Sequence, residues 1–504
     1  MSNKKLIITI LPLLLLAFSG CNKKPDNNNG GGLTIDIYAS NDFHGAVEAN
    51  GKSIGLAKYG TFMKQKGQEP NTLLLDQGDT WQGSIYSNYN YGALINDVMC
   101  EAKFDARTVG NHDFDWGIDA LVANTKREYN NYKIPVLAAN VYDYDFVTKT
   151  EGTIQQSDIG GKSVTYTLEN GLKVGIVGTI GKDQITSITS SYVQDVCFIN
   201  HVKVIKEEAT KLRKDGCDVV IASVHAGQDA VLGNGLDKYV DLVLCGHSHQ
   251  YERSHENDLY YAQFGANGQY IGHVQLTYNQ KQKKVTNTSI ESFDYNDLSK
   301  IVTSVDSNIS NLINKYSEEC DKDANQVVAS NASYFSKGEQ SPNLMTKAMM
   351  DKVEELYGDE VILSYCNTAR AYLPAGEWTY ANLYSAFPFD NTIYIASIKG
   401  EDIINEVCNY SNVCFSSTFD YRINPDQYYK IATIDHLLYH TNTERYYNYF
   451  PSFTGETIAA LDQNYRVLLK EWLIDNGYNE GKRLEGDEFS SNVNRHNANL
   501  VQIG

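Results

Sequence analysis

The chain has 504 residues, of which 42% are hydrophobic and 21% charged, the proportions of a globular protein rather than a disordered one. At roughly 150 residues per domain, this length predicts two or three domains with at least one large core. The formal charge of −19 argues against a protein that binds the nucleic-acid backbone, which would need basic patches. A small anionic substrate remains compatible with this charge, because bound divalent cations can invert the local field.

The first 33 residues have the features of an export signal followed by a tether. Two lysines precede the apolar run LIITILPLLLLAFSG, which ends at Cys21 and is short for a transmembrane helix. The tetrapeptide FSGC resembles a bacterial lipobox, although Phe18 replaces the usual aliphatic residue. The resemblance implies a signal peptide at 1–20, lipidation of Cys21 and a flexible tether at 21–33. We therefore expect an outer-membrane or periplasmic lipoprotein; the alternative is ordinary signal-peptidase cleavage with a free Cys21.

From about residue 33 to residue 290, strand-like and helix-like segments alternate. The strand-like segments are LTIDIYAS, NTLLL, FDARTV, KIPVLAA, KVGIVGTI, CDVVIAS and VDLVLC. The helix-like segments are SIGLAKYGTFMKQKG, YGALINDVMCEAK and HVKVIKEEATKLRK. This alternation predicts βαβ units in a largely parallel sheet that helices cover.

A second block begins near Asp297. Its first segment, LSKIVTSVDSNISNLINKYSEECDK, has the apolar spacing of one long helix that could link two domains. SPNLMTKAMMDKVEELYG predicts another helix, and VILSYCN, NTIYIASIKG and YYKIATID predict strands. The last third therefore reads as a separate α+β domain.

The cysteines do not have the spacing of a metal site. None forms a CxxC pair, so a thiolate zinc site is not expected. Cys217 and Cys245 lie in apolar runs and are predicted to be buried thiols, whereas Cys408 and Cys414 are candidates for a disulfide in an exported protein.

Five polar motifs follow directly on apolar strands of the first block. They are Asp42-Phe43-His44, Gly78-Asp79, Gly110-Asn111-His112, His225 and Gly246-His247-Ser248-His249. In open α/β sheets, ligands gather at the carboxyl ends of strands, so these motifs can converge on one cleft. A single histidine after a strand is weak evidence, but together the motifs supply Asp, Asn and His without a thiolate. Such a set suits zinc, manganese, iron or cobalt.

In their order, the segments NDFHG, QGDTWQGS, GNHDFDWG, VHAG and GHSHQ resemble those of the calcineurin-like metallophosphoesterases. The resemblance is strongest to the secreted 5′-nucleotidase family, of the bifunctional 2′,3′-cyclic phosphodiesterase/5′-nucleotidase type. It implies a metallophosphoesterase β-sandwich flanked by helices at 34–296 and a linker helix at 297–334. A smaller α+β 5′-nucleotidase C-terminal domain would follow at 335–504 and bind the substrate.

The same resemblance implies a role for each motif residue. One divalent ion would lie between Asp42, His44, Asp79 and His249, and a second between Asp79, Asn111, His225 and His247. Asp79 would bridge the two ions, and water that they activate would attack phosphorus. His112 would contact the phosphate without binding metal, and Asp115 would orient and charge its imidazole, which leaves Asp113 without a catalytic role.

The segment CNTARAYLPAGEWTYANLYSAFPFDNTIYIASIKGEDI resembles the 5′-nucleotidase C-terminal domain. In that domain an arginine contacts substrate and a PF-x-N segment supplies a ring that stacks on the base, which Arg370, Phe389 and Asn391 match. The chain departs from the family in two ways. The turn before Arg370 lacks the usual glycines, and the TGGDGY segment near the second ring is absent. His436 occupies roughly that position, with the downstream tyrosines as candidates for the ring: Tyr446, Tyr447 and Tyr449.

These inferences predict an exported dinuclear-metal phosphohydrolase that converts 5′-nucleotides to nucleosides and phosphate. The alternatives with the same metals are hydrolysis of 2′,3′-cyclic nucleotides, nucleotide sugars or non-nucleotide phosphoesters, and, more remotely, the chemistry of the thiosulfohydrolase relatives. An alternative of another class is a surface-binding protein that has lost catalysis. The expected partners are a small phosphoester and, through the lipid, a membrane. The resemblance also places the substrate between the domains, with a connecting helix near Ser304–Tyr316 that permits rotation.

Overall fold

The computed structural model describes residues 32–503, except 146–149, 157, 158, 190, 191, 194, 411, 439–448, 493 and 498. It also does not describe the side chains of 129–132, 145, 150–156, 408–410, 462 and 494. The expected signal peptide, Cys21 and almost all of the tether thus lie outside the described residues, as do Tyr446 and Tyr447. No helix within the described part of the chain has the length and apolar character needed to cross a bilayer.

Among the described residues, the first part of the chain contains fifteen strands and six α-helices. The strands are β1 (Leu33–Ser40), β2 (Thr72–Asp76), β3 (Ala106–Thr108), β4 (Val136–Leu137), β5 (Val141–Asp145), β6 (Thr150–Gln156), β7 (Ser163–Thr167), β8 (Lys173–Ile180), β9 (Val196–Phe198), β10 (Val219–His225), β11 (Leu242–Cys245), β12 (Tyr251–Glu256), β13 (Leu259–Phe264), β14 (Ile271–Asn279) and β15 (Lys284–Phe293). The helices are α1 (Leu56–Lys66), α2 (Ile85–Asn88), α3 (Ala93–Ala102), α4 (Gly117–Tyr132), α5 (His201–Lys214) and α6 (Tyr295–Ile301).

Two six-stranded sheets form the body of this part. One has the order β15-β14-β1-β2-β3-β4 and the other β12-β13-β11-β10-β8-β7. Their central strands run parallel, while β14, β15, β12 and β7 join antiparallel. The predicted parallel units are therefore present, but they are divided between two mixed sheets instead of one. The expected sandwich flanked by helices is confirmed.

The alternation of side chains along the strands produces a layered core. In β1, Ile35 and Ile37 pack between the two sheets, whereas Tyr38 packs with residues of α1 and α3 on the outer face. In β10, Ile221 points into the sandwich and Ala222 packs with α5. Because successive residues of a strand face opposite sides, both faces of each sheet are covered and the strand ends meet at one edge.

The remaining elements form the second, α+β part. They are α7 (Ser307–Ala324), β16 (Val327–Ala332), α8 (Gln340–Tyr357), β17 (Val361–Tyr365), β18 (Gly376–Thr379), α9 (Tyr380–Ala386), β19 (Thr392–Lys399), α10 (Gly400–Tyr410), β20 (Val413–Phe415), β21 (Arg422–Ile423), β22 (Tyr428–Ile434), α11 (Asp435–Leu438), β23 (Thr457–Asn464), α12 (Tyr465–Asp475) and β24 (Val501–Gln502). A five-stranded sheet of order β20-β17-β22-β19-β23 is its centre, and β16 pairs with β18. The helix and strands predicted for this part are confirmed.

The segment predicted as one long helix forms two helices. The first, α6, ends at Ile301, and α7 begins only at Ser307. The Asp306 carboxylate accepts hydrogen bonds from the amides of Asn308 and Ile309, so it caps α7 with an extended backbone that stops any continuous helix. Because the apolar periodicity continues across this break, the sequence pattern gave no sign that a new helix begins after Asp306. The stretch 297–334 accordingly holds most of α6, all of α7 and β16.

The seven cysteines whose side chains the structure describes are free thiols. Cys217 and Cys245 are buried and free, as predicted. Cys414 is also a buried free thiol, which contradicts the candidate disulfide with Cys408.

Candidate dinuclear metal centre

Seven side chains meet where the central strands of the two sheets end. Asp42 and His44 follow β1, Asp79 follows β2, Asn111 follows β3, His225 ends β10, and His247 and His249 follow β11. Five of them have a left-handed backbone: φ is 50° at Asp42, 49° at His44, 54° at Asp79, 73° at His247 and 59° at His249. Such a conformation costs a non-glycine residue roughly 1–3 kcal/mol and persists only where the surroundings impose it. These turns direct side chains from different strands at the same point.

The first group comprises Asp42, His44, Asp79 and His249, whose ligand atoms all lie within 4.8 Å of one another. The Nε2 atoms of His44 and His249 are 3.1 Å apart. His249 Nε2 lies 3.5 Å from Asp42 Oδ1, and His44 Nε2 lies 3.8 Å from Asp79 Oδ2. These are the four residues that the sequence assigns to one ion.

The second group comprises Asp79, His225 and His247, also within 4.8 Å of one another. Asn111 joins them, because its Oδ1 lies 3.0 Å from His225 Nε2 and 2.8 Å from His247 Nδ1. Asp79 Oδ2 is 3.3 Å from His225 Nε2, so Asp79 belongs to both groups.

The arrangement fits two cations that share Asp79. Asp79 Oδ2 is fully buried and has no hydrogen-bond partner. His44 Nδ1 and His225 Nδ1 face the carbonyls of Gln82 and Gln77 at 2.9 and 2.8 Å, which leaves each Nε2 turned inward as a ligand atom. Burial raises the pKa of Asp42 to about 7, because an ionised carboxylate loses its hydration when it is withdrawn from water.

His112 lies beside the centre and contacts the second part of the chain. Its Nδ1 is 2.9 Å from Asp115 Oδ2, and its Nε2 is 2.7 Å from Nη2 of Arg370. Its ring stacks on Phe389 at 5.5 Å between centroids, and the Arg370 guanidinium lies 5.1 Å from the same phenylalanine ring. Burial opposes protonation of His112, but the Asp115 and Asp79 carboxylates raise its pKa above the usual value.

Asp113 binds backbone amides of two neighbouring loops. It is buried, and its two carboxylate oxygens accept hydrogen bonds from the amides of Gly110 at 2.8 Å and Thr80 at 3.2 Å. Asp113 therefore ties the loop that carries Asn111 to the loop that carries Asp79.

A cavity of about 570 Å³ opens from the centre between the two parts of the chain. All four residues predicted to bind substrate line it, together with Tyr449: Arg370, Phe389, Asn391 and His436. The rings of His436 and Tyr449 lie 6.3 Å apart. Three lining residues were missed from the sequence, Thr186, Ser187 and Thr189. Because they come after β8, the rule of strand carboxyl ends would have found them.

The segment that carries Phe389 is fixed by the buried Arg466 of α12. Arg466 donates to the carbonyl oxygens of Phe387 and Phe389 at 2.7 and 2.8 Å and to Asp390 Oδ1 at 2.6 Å. Its guanidinium also lies 3.5 Å from the centroid of the Tyr384 ring. Phe389 is thus presented to the cavity by a rigid loop.

Comparison with known proteins agrees with this geometry. The calcineurin-like phosphoesterase family matches residues 35–251, and the 5′-nucleotidase C-terminal domain family matches residues 323–416. A snake venom 5′-nucleotidase of Naja atra is 30% identical over 236 residues, which cover 44% of this chain and 42% of that protein. The 5′-nucleotidase of Homo sapiens is 25% identical over 426 residues, 74% of this chain and 71% of that protein.

The fold has a close counterpart among solved structures. The crystal structure of a 5′-nucleotidase precursor from Thermus thermophilus superposes with a TM-score of 0.69 at 17% identity, covering 90% of this chain and 97% of that one. The two family matches show a calcineurin-like phosphoesterase domain followed by a 5′-nucleotidase C-terminal domain, and the chain is similar in sequence to 5′-nucleotidases.

Proposed function

We propose that this protein hydrolyses nucleotide phosphoesters and releases nucleoside and phosphate from 5′-nucleotides. The observation that carries the proposal is Asp79, whose buried, unpartnered Oδ2 belongs to both ligand groups and lies next to His112 and the substrate cavity. A shared carboxylate of this kind suits a two-metal centre for hydrolysis at phosphorus.

The seven converging residues would hold two divalent ions, zinc, manganese, iron or cobalt, because their donor atoms are nitrogen and oxygen. When bound, such ions neutralise the charge of the phosphate oxygens and lower the pKa of a bound water molecule. The chain itself orients them, since the carbonyls of Gln77 and Gln82 fix the rings of His225 and His44.

His112 and Arg370 would bind the phosphate from the side of the cavity. Their facing atoms, Nε2 and Nη2, are donors for an anion when the imidazole is protonated. Asp115 fixes the proton on Nδ1 and favours the imidazolium, which stabilises negative charge that develops on the leaving oxygen.

The rest of the cavity would hold the nucleoside. Phe389 offers a ring face for the base, and Tyr449, near His436, supports a second aromatic wall at the position where the family segment TGGDGY is absent. Asn391 is buried, with its Nδ2 unpartnered, and is suited to donate to the base or the ribose.

A substrate panel tests the proposal. Metal-stripped protein is reloaded with Mn²⁺ or Zn²⁺, and phosphate release is measured from AMP and glycerol phosphate. Hydrolysis of 2′,3′-cyclic AMP and UDP-glucose is followed by chromatography of their monophosphate products. Metal-dependent turnover of AMP is expected, with Asp79→Asn as the inactive control. Turnover of the cyclic nucleotide as well would establish the bifunctional type. Release from glycerol phosphate alone would overturn the nucleotide assignment, and metal binding without any turnover would favour a binding protein.

We also propose that the chain is exported and carries a lipid on Cys21, which supports an outer-membrane or periplasmic location. The supporting observations are the basic start, the short apolar run and the lipobox-like FSGC. Incorporation of a labelled fatty acid that Cys21→Ser abolishes is the expected result. Secretion of unlabelled wild-type protein would contradict the anchor.

The proposed domain boundaries are 34–296 for the phosphoesterase domain and 335–504 for the C-terminal domain, with a linker at 297–334. The position of α7 between the two sheet systems along the chain supports a linker there, whereas β16, at the end of that stretch, pairs with β18 of the C-terminal part.

A further inference from the structure

A buried ionic cluster lies directly behind the ligand loops. Arg107 of β3 is 1% exposed, and three carboxylates surround it that are no more than 3% exposed: Asp76, Asp113 and Glu128. Arg107 Nη1 is 3.6 Å from Asp113 Oδ1, and its Nε is 3.4 Å from Glu128 Oε2. Its guanidinium also packs 3.9 Å from the centroid of the Trp81 ring. An arginine inside an apolar strand is costly, so its contacts must offset a large desolvation.

Two of these carboxylates hold the turn that carries Asp79. Asp76 Oδ1 accepts from the Gly78 amide at 3.1 Å and from the Thr80 hydroxyl at 2.7 Å. Asp113 Oδ1 accepts from the Thr80 amide at 3.2 Å. The hydrogen bonds of Asp76 and Asp113 thus hold the residues on both sides of Asp79. Asp79 itself has a φ of 54°, a strained conformation that we expect it to leave without these hydrogen bonds.

The charges of the cluster explain why an arginine is needed there. Two buried carboxylates beside Asp79 repel it and one another, and each requires a nearby positive charge to stay in place as an acceptor. Arg107 Nη1 lies 3.6 Å from Asp113 Oδ1, and Arg107 is the strand neighbour of Asp76 across β2 and β3. Its guanidinium also packs on Trp81, in the same loop as Asp79. Its own strand leads into Gly110 and Asn111, so it connects two of the loops that contribute to the second metal site, those of Asp79 and Asn111.

We propose that Arg107 is a positioning residue that sets the geometry of Asp79 by anchoring Asp76 and Asp113. The inference rests on the proposed metal centre, but not on the identity of the substrate. The competing interpretation is that Arg107 serves only as the buried ion-pair partner of Glu128 on α4, in which case the metal centre would not depend on it.

The test compares metal affinity with stability. Full-length Arg107→Met protein is stripped of metal and titrated calorimetrically with Mn²⁺, and its thermal unfolding is recorded. We expect Mn²⁺ affinity to fall about 10–100-fold, the usual effect of losing a group that supports a ligand. Arg107→Lys should recover part of this loss. Arg466→Met is the matched control, because Arg466 is also a buried arginine (2% exposed) that packs on an aromatic ring, Tyr384, and pairs with a carboxylate, Asp390, but contacts none of the seven ligand residues. It should lower stability and leave Mn²⁺ affinity unchanged.

The double variant Arg107→Met/Glu128→Gln separates the two interpretations and keeps the test decisive if Arg107→Met alone does not fold. Weak Mn²⁺ binding in the folded double variant supports the proposal, because Asp76 and Asp113 remain without their cation. Wild-type affinity in either variant overturns it. Wild-type protein that binds Mn²⁺ but releases no phosphate would defeat the proposed function, while the affinities of the variants would still judge the role of Arg107.

Discussion

At the residue scale, most of the converging side chains are carried by residues whose backbone is strained. Five of the seven converging residues have positive φ, a conformation that is uncommon for any residue other than glycine. The surrounding contacts impose it: the Asp42 amide donates to the Gly78 carbonyl and the His44 amide to the Asp79 carbonyl, which joins the β1 and β2 loops. Metal affinity therefore depends on backbone positions as much as on ligand identity.

Replacement of His112 separates catalysis from metal binding. The His112 backbone amide, and not its side chain, donates to Asp79 Oδ1 at 2.7 Å. His112→Ala should therefore lower kcat by about 10²–10⁴-fold, as for loss of a proton donor, and retain both metals. Asp115→Asn should lower kcat less, because the ring remains in place. Metal content by elemental analysis alongside phosphate release checks this, and loss of metal from His112→Ala would refute the assigned role.

Gly110 is a position in the backbone of the centre that has no room for a side chain. A Cβ there would lie 2.3 Å from both the amide nitrogen and Oδ1 of Asp79, so alanine must displace that residue. We expect Gly110→Ala to lose metal and activity together while the protein stays folded. Gly161→Ala is the control, since its nearest contacts are at 3.8 Å. A metal-replete Gly110→Ala would show that the loop adapts.

At this scale the sequence predicted which residues converge and missed what supports them. Asp, Asn and His after apolar strands are visible because strand carboxyl ends share one edge. The roles of Arg107 and Asp113 could not be predicted in this way. They depend on partners that are distant in sequence, on α4 and in the loop after β2.

At the element scale, the apolar periodicity predicted which segments form helices, but a helix cap determined where one of them begins. All but the connecting segment of the predicted strands and helices quoted from the sequence appear in the structure, because burial on one or both faces leaves a regular apolar pattern. The α6–α7 break is specified by one side chain, Asp306, within a run whose apolar spacing does not change. Periodicity reports which face is buried and not where a helix begins.

Removal of that cap has a defined cost. Asp306 also binds Lys64 of α1 at 2.8 Å, so it joins α7 to the phosphoesterase part. Asp306→Ala should lower the free energy of unfolding by about 1 kcal/mol, the usual value of an N-cap aspartate. Asp323→Ala, an exposed acidic residue in the last turn of α7, is the matched control and should leave stability unchanged or slightly higher. Chemical denaturation measures both, and equal effects would exclude capping as the cause of the break.

At the scale of the whole molecule, the two parts meet across the active centre. Arg370 and Phe389 contact His112, Asn88 donates to the Pro388 carbonyl at 3.0 Å, and Ile85 belongs to the core of the C-terminal part. The sequence located the substrate between the domains only through resemblance. The docking itself depends on surfaces that no local pattern encodes, so the Arg370–His112 contact was not predictable from the residues.

This closed arrangement predicts that turnover requires the parts to separate. Arg370 lies within hydrogen-bond distance of the His112 atom proposed to contact phosphate, and Phe389 covers the same ring, so substrate must displace both to enter. Ser84 and Ser385 line a second cavity of about 690 Å³ from opposite parts of the chain. A short bifunctional thiol reagent across Ser84→Cys/Ser385→Cys should therefore cut the turnover of AMP severely. A cleavable reagent should allow recovery on reduction.

Each single cysteine variant, treated with a monofunctional thiol reagent, controls for blockage of the cavity and should keep most of its activity. Neither serine belongs to a ligand group, but Ser84 Oγ donates to the carbonyl of Gly45 beside His44. The uncrosslinked double variant is therefore the reference, and its Mn²⁺ affinity should stay constant on crosslinking while turnover falls. That combination assigns the loss to restricted motion of the domains and not to damage at the centre. Full turnover in the crosslinked protein would instead mean that substrate reaches His112 through the existing 570 Å³ cavity with only side-chain rearrangement.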